Sequence, residues 1–288
     1  MIEIDATPFL FQFGSLALSW HGLFSFIGVG AAVFLVGRWA NFRDIDPDDI
    51  YSIAVWAILG GIIGARLVHV IDNLNIYAEN PIQIFEVWKG GIGLWGGLLG
   101  GFFGGAIYCK IMDYPIGIIA DLTAPAMIFA QSIGRLGDIV NGEHCANYTN
   151  QFFGYVWTDP TSAAAYCLNG LGTSVQPVIF YEILGNFLIL LIIWNLRNRL
   201  KPAGMLFALY LTLYSILRFA IQFFREDGIW FFSMQEAHFI AISVLVITIP
   251  VLAIWARLGN PEILKKEFSD LAPKLSRAER RRRSSKDN

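Results

Sequence analysis

The chain has 288 residues, 55% of them hydrophobic and 15% charged, with a formal net charge of −2 and a mean hydropathy of +0.53. A soluble domain carries about 25% charged residues, so this composition excludes an ordinary water-soluble globule. The near-zero net charge says little, because the charges are segregated along the chain.

The segment before the first apolar run, MIEIDATPFLFQFGSLALSW, holds two acids and no Lys or Arg. That argues against a cleaved signal peptide, which needs a basic start and a small-residue cleavage site. Seven apolar runs follow, near 16–38, 50–71, 92–111, 116–133, 177–196, 204–224 and 236–256. Each approaches the roughly 20 residues a helix needs to cross a bilayer. Only helices and closed barrels satisfy their backbone in lipid, and these runs lack the alternation of barrel strands. With the N-terminus placed outside the cytoplasm, sixteen of the 21 Lys and Arg residues fall on the inner side, as the positive-inside bias requires. The expectation is an all-α integral membrane protein with seven transmembrane helices, an outside N-terminus and a cytoplasmic C-terminus.

Residues 1–258 read as one membrane domain, in which 134–176 is too long for a simple turn and forms a small external head loop. Residues 259–288 are polar and basic, with RAERRRRSSK near the end, and are expected to be a disordered cytoplasmic tail. Such a cluster anchors topology or attracts anionic membrane lipid; nothing else in the chain supports nucleic-acid binding. The stretch 90–105 holds nine glycines, which suits close helix packing or a thin wall beside a bulky ligand. Cys145 and Cys167 share the head loop and are able to pair; Cys109 lies near the cytoplasmic end of the third run. No Cys/His spacing suggests a metal site, and no cofactor is implied.

Ionisable residues inside spans default to functional candidates. Arg38 and Arg257 lie at span ends as anchors. Arg66 either snorkels or faces the interior with Asp72 or His69. Arg135 follows the fourth run. Tyr214, Arg218, Gln222 and Arg225 fall at i, i+4, i+8 and i+11 and form one stripe of a helix. The stripe has two positive charges and no acid, so with Arg135 it suggests an anion site near the outer leaflet. Guanidinium forks match phosphate oxygens, and a phospholipid headgroup is the natural anion at that depth. The rival is structural neutralisation by Glu143, Glu182 or Asp121.

The same residues carry a family resemblance. Gly134-Arg135-Leu136-Gly137-Asp138-Ile139-Val140-Asn141-Gly142-Glu143 is similar to the central motif of the prolipoprotein diacylglyceryl transferases, roughly G-R-x-G-N-F-x-N-x-E. Gly64-Ala65-Arg66-Leu67, Val87-Trp88 with Gly90-Gly91 and Gly96-Gly97, Ala120-Asp121 with Ala124-Pro125, Pro177 with Tyr181-Glu182, and Tyr214 with Arg218-Phe219 and Phe223-Phe224-Arg225 follow in order over about 15–258. The resemblance implies transfer of a diacylglyceryl group from phosphatidylglycerol to the lipobox cysteine thiol of a preprolipoprotein, in the bacterial inner membrane, without metal or cofactor. It implies catalytic roles for Arg135, Glu143 and Arg218. Arg135, Asn141, Tyr214, Arg218, Arg225 and Arg66 would bind the phospholipid, with Asp121, Asp138, Gln222 and Trp95 in support. Five positions depart from the family pattern. Trp95 replaces its third-span His, His21 its first-span Tyr, Asp138 its central Asn, Gln176 a His before the fifth span, and Gln222 its sixth-span Glu. His21 is therefore a candidate relocated base, or else a satisfied interior histidine beside Trp20; His144 is a weaker candidate, while His69 and His238 read as structural. The alternatives to a transferase are a related protein that binds phospholipid with altered or absent activity, and an unrelated multi-pass transporter.

Overall fold

A computed structural model describes residues 1–13, 16–43, 45–86, 91 and 93–260. The basic tail from 261 onward, and Val87, Trp88 and Gly90 of the third-span motif, lie outside the described residues. Among those described, the helices are α1 (Trp20–Ala40), α2 (Pro47–Asp72), α3 (Leu74–Glu79), α4 (Leu94–Ile111), α5 (Ile116–Asn141), α6 (Val178–Leu196), α7 (Met205–Gln222) and α8 (Glu236–Trp255). The strands are β1 (Ile2–Ile4), β2 (Phe9–Phe13), β3 (Leu16–Ser19), β4 (Tyr155–Trp157), β5 (Leu200–Lys201), β6 (Ile229–Phe231), β7 (Met234–Gln235) and β8 (Arg257–Leu258). Among the described residues, six helical segments are long and apolar enough to cross a membrane: Trp20–Arg43, Pro47–Asp72, Ile116–Asn141, Val178–Leu196, Met205–Gln222 and Glu236–Trp255. The third expected run is helical as α4 but is not among them.

The chain forms two compact units, whose described residues are 1–35 with 120–260, and 36–119. In the second unit α2 and α4 pack through glycine. A Cβ on Gly64 would strike the backbone of Gly96 and Gly100, and one on Gly100 would strike the Gly60 carbonyl. The glycine run is thus a packing surface, where absent side chains let two backbones touch. Arg66, also in this unit, is buried. Its Nε donates to Ile84 O and its Nη1 to Gly91 O, both at 2.8 Å, its Nη2 donates to Gln83 O, and the guanidinium lies over the Tyr77 ring. It faces the interior and does not snorkel, and these hydrogen bonds tie down the chain that follows α3. Trp95 belongs to this unit as well and is partly exposed.

The first unit holds most of α1 (to Leu35), α5 from Ala120, α6 to α8 and the head. The expected head boundary at 134 is corrected, since α5 continues unbroken to Asn141. Charges at 135 and 138 end the hydropathy signal but not the helix, because their ion pairs replace water. The head proper begins at Gly142, whose φ of +70° and close approach to Ser162 admit only glycine without strain. Its core of Ala146, Tyr155, Trp157, Ala164 and Val175 packs on Val178 and Ile179 of α6 and Ile221 of α7. β1 adds to β4 as a parallel strand, so the N-terminus is part of the head. Residues 16–19 of the first apolar run pair with β2 as a hairpin instead of starting the helix. Cys145 and Cys167 form a disulfide.

Candidate functional site

The polar groups of the first unit gather at one end of its helices. Gly137 makes this possible. A Cβ there would lie 2.6 Å from His21 Cα and 2.8 Å from Trp20 O, so only glycine lets the start of α1 cross the end of α5 so closely. His21 Nδ1 thereby hydrogen-bonds Asp138 Oδ1 and lies 3.5 Å from Glu143 Oε2. The His21 backbone N–H donates to Asn141 Oδ1 at 3.4 Å, and Asn141 Nδ2 donates to Glu143 Oε1 at 2.9 Å. Two contacts fix this corner to the head: Ser162 Oγ donates to Asn141 O at 3.0 Å, and Trp157 Nε1 donates to Ile139 O at 2.8 Å.

Beside it lies an arginine cluster. Arg135 Nη1 donates to Asp138 Oδ2 at 2.6 Å, and its Nε pairs with Glu182 Oε2 from the first turns of α6. Arg218 Nη1 donates to Glu182 Oε1 at 2.7 Å, and Arg225 Nη1 stands 3.8 Å from that same oxygen. Three guanidiniums therefore share one buried carboxylate. The α7 stripe itself holds no acid; its counter-charge is Glu182 of a neighbouring helix, one of the three acids that the neutralising alternative named. The side chains of Arg135 and Arg218 remain about one-fifth exposed, whereas those of Glu182 and Arg225 are buried. The accessible face of the cluster is thus guanidinium. Tyr214, one turn before Arg218, stacks on Tyr210. Gln222 is fully buried and donates to Asp227 Oδ2 at 2.6 Å and to Gln235.

Two participants were weak or absent in the sequence. His144, held at φ +74° beside the disulfide, accepts from Arg225 Nη2 through Nδ1 at 3.0 Å. Its Nε2 lies 2.5 Å from Arg135 Nη1 and 3.2 Å from Asp138 Oδ2. Burial, reinforced by Arg225 and Arg135, pushes the His144 pKa down. Asp227 accepts from Arg225 Nε at 3.0 Å. Burial opposes its ionisation, but the charge and hydrogen bond of Arg225 outweigh that and hold it below the usual carboxylate range. The acidic neighbour of an Arg pair just past a span end was the available signal for Asp227.

Asp121 is not part of this constellation. It accepts from the backbone N–H of Gly204 at 2.8 Å and of Phe207 at 2.9 Å, capping the start of α7. At 1.5 Å per residue, that is about 21 Å along α5 from Arg135. His238 caps α8, accepting from Gln235 N at 3.2 Å, and Gln176 Oε1 accepts from Tyr181 OH at 2.9 Å. Among the described residues, one group of ligand atoms is close enough to hold an ion: His21, Asp138 and Glu143, all within 4.8 Å of one another. Direct donation from His21 to Asp138 accounts for that closeness.

The family model for prolipoprotein diacylglyceryl transferase matches residues 8–255. A phosphatidylglycerol–prolipoprotein diacylglyceryl transferase of Dehalococcoides mccartyi strain CBDB1 is 32% identical over 254 residues, 87% of this chain and 94% of that protein. Proteins of the same name are 32% identical over 259 residues in Lactobacillus acidophilus, covering 89% of this chain and 92% of the relative. In Staphylococcus aureus strain Newman the figure is 33% over 261 residues, covering 90% and 92%. A match over nearly all the described chain, carrying with it the arginines and carboxylates gathered at this corner, means that the chain belongs to the prolipoprotein diacylglyceryl transferase family.

Proposed function

We propose that this protein transfers a diacylglyceryl group from phosphatidylglycerol to the lipobox cysteine thiol of preprolipoproteins, the first step of bacterial lipoprotein maturation. The observation that carries the reading is the cluster of Arg135, Arg218 and Arg225 on Glu182, with its guanidinium face accessible in a unit of membrane-crossing helices. Arg218 and Arg135 would hold the lipid phosphate, and fixed positive charge in a low-dielectric site would stabilise the glycerol phosphate leaving group. Arg225, Tyr214 and Gln222 would set the position of Arg218. Asn141 and Glu143 would border the acceptor thiol, with His21 as its base. No step needs a metal or cofactor. The protein works in the bacterial cell membrane, and its topology is seven spans, α4 being the seventh, with the N-terminus outside and the C-terminus cytoplasmic. The Lys/Arg distribution and the helices already described support that topology. Its substrates call for no nucleic-acid contact.

The test is reconstitution. Purified protein in phosphatidylglycerol vesicles, given a lipobox peptide, should yield a heavier peptide with a thioether-linked diacylglyceryl group. Vesicles lacking phosphatidylglycerol should give none. An unmodified peptide from well-folded protein would overturn the transferase reading in favour of a phospholipid-binding relative.

A further inference from the structure

We infer that His21 and Asp138 act as one acid–base unit in which Asp138 is a positioning residue, holding Nδ1–H of His21 so that Nε2 takes the proton of the acceptor thiol. The inference rests on the transferase reading above. An ionised carboxylate only accepts hydrogen bonds. Asp138 accepts from Arg135 Nη1 at 2.6 Å and from His21 Nδ1. The proton of that last bond therefore sits on His21 Nδ1, which fixes the tautomer and leaves the lone pair on Nε2. Among the described residues Nε2 has no hydrogen-bond partner. The two side chains differ in access as a base and its support should. Asp138 is 2% exposed and His21 43%. The charged groups facing His21 are Asp138 and Arg135 from α5 and Glu143 from the following loop. Glu143 Oε2, at 3.5 Å, offers a second acceptor to the imidazolium once it forms.

Two of the five departures thus touch each other. Where the family pattern has Tyr and Asn, this chain has His21 and Asp138 in direct contact, while Trp95 stands at the family's usual histidine position. Tyr with Asn makes a hydrogen bond but accepts no proton near neutral pH, whereas His with Asp does. The pair reads as a single exchange that places an imidazole base on α1.

The step balances as follows. The thiol proton moves to His21 Nε2, and a sulfur electron pair forms the S–C bond to the terminal glyceryl carbon. The C–O bond to phosphate breaks with its pair on oxygen, and glycerol phosphate leaves as a dianion. The proton on His21 then passes to water.

The experiment uses the full-length protein in phosphatidylglycerol vesicles with a lipobox peptide, comparing His21→Gln, Asp138→Asn, His21→Tyr and the pairs His21→Gln/Asp138→Asn and His21→Tyr/Asp138→Asn. His21→Gln and Asp138→Asn should each lower kcat by about 10²-fold, the scale of a lost general base, with KM for phosphatidylglycerol little changed. The Gln/Asn pair should be no worse than the poorer single variant. Each defect should shrink as pH rises past about 8.5, where the peptide thiol ionises unaided. His21→Tyr/Asp138→Asn should outperform His21→Tyr. If Asp138→Asn fails to fold, the partly exposed His21 still carries the test through kcat and the pH profile. Normal transfer by His21→Gln at pH 7, a loss that does not shrink with pH, or multiplicative single losses would each overturn the inference while the transferase reading stands. So would abolition of activity by a chelator with recovery on adding a divalent ion. An inactive wild-type protein would instead remove the transferase reading beneath it.

Discussion

Replacing Arg218 by Lys separates charge from fork geometry. Among the described residues Arg218 donates to Glu182 alone, through Nη1 at 2.7 Å, and its side chain is 22% exposed. Its other donors are therefore available to an incoming phosphate. Lysine keeps the positive charge against Glu182, so the buried carboxylate stays neutralised and the helices hold together. What lysine lacks is a second pair of coplanar donors. The variant exchanges a two-point phosphate contact for at most one, and a hydrogen bond to a charged group is worth about 1.5–3 kcal/mol. If that bond strengthens as the leaving phosphate gains charge, kcat/KM for phosphatidylglycerol should fall about ten- to a hundredfold. The assay is thioether formation against phosphatidylglycerol concentration, with size-exclusion profile and thermal midpoint as controls for folding. An Arg218→Lys protein within about twofold of wild type would refute the phosphate-clamp role, leaving Arg218 as a structural counter-ion for Glu182.

Gly100→Leu should overpack the α2–α4 contact, because even its Cβ would strike the Gly60 carbonyl; a loss of about 1–3 kcal/mol or more should lower the thermal midpoint in detergent. Cys145→Ser/Cys167→Ser should retain transfer, because the acceptor brings its own thiol, while losing about 2–4 kcal/mol of head stability; complete inactivity with an intact fold would point to an enzyme nucleophile. His144 should make the protein acid-sensitive. Its folded pKa is pushed below the ordinary 6.5, so the unfolded chain binds the proton first, and stability present above about pH 6.5 is lost as pH falls from there through the folded value. Between pH 7.5 and 5.5 the wild-type midpoint should therefore drop further than that of His144→Gln; equal drops would refute the assignment.

The sequence by itself determined the membrane class and the positions of the six helices long and apolar enough to cross a bilayer among the described residues. It also marked the two cysteines able to pair and many of the residues of the polar corner. These are local quantities. Span length follows from bilayer thickness, and the alignment of Tyr214, Arg218, Gln222 and Arg225 from 3.6 residues per turn, so both can be read without knowing what packs where. Tertiary structure decided which charges meet. Glu182, 36 positions from Arg218, enters the arginine cluster only because α6 and α7 pack side by side. Asp138, a departure in the motif, becomes the partner of another departure 117 positions away only because Gly137 leaves room for the first turn of α1. Arg66 and Asp121 match the motif equally well, but the fold turns each of them to hydrogen-bond backbone groups elsewhere. The end of α5 misled the hydropathy reading for the same reason: a charge beyond an apolar run looks like solvent until its counter-ion is located. Periodicity along one helix carries no information about the face of another, and burying an ion requires a partner whose place is set by packing.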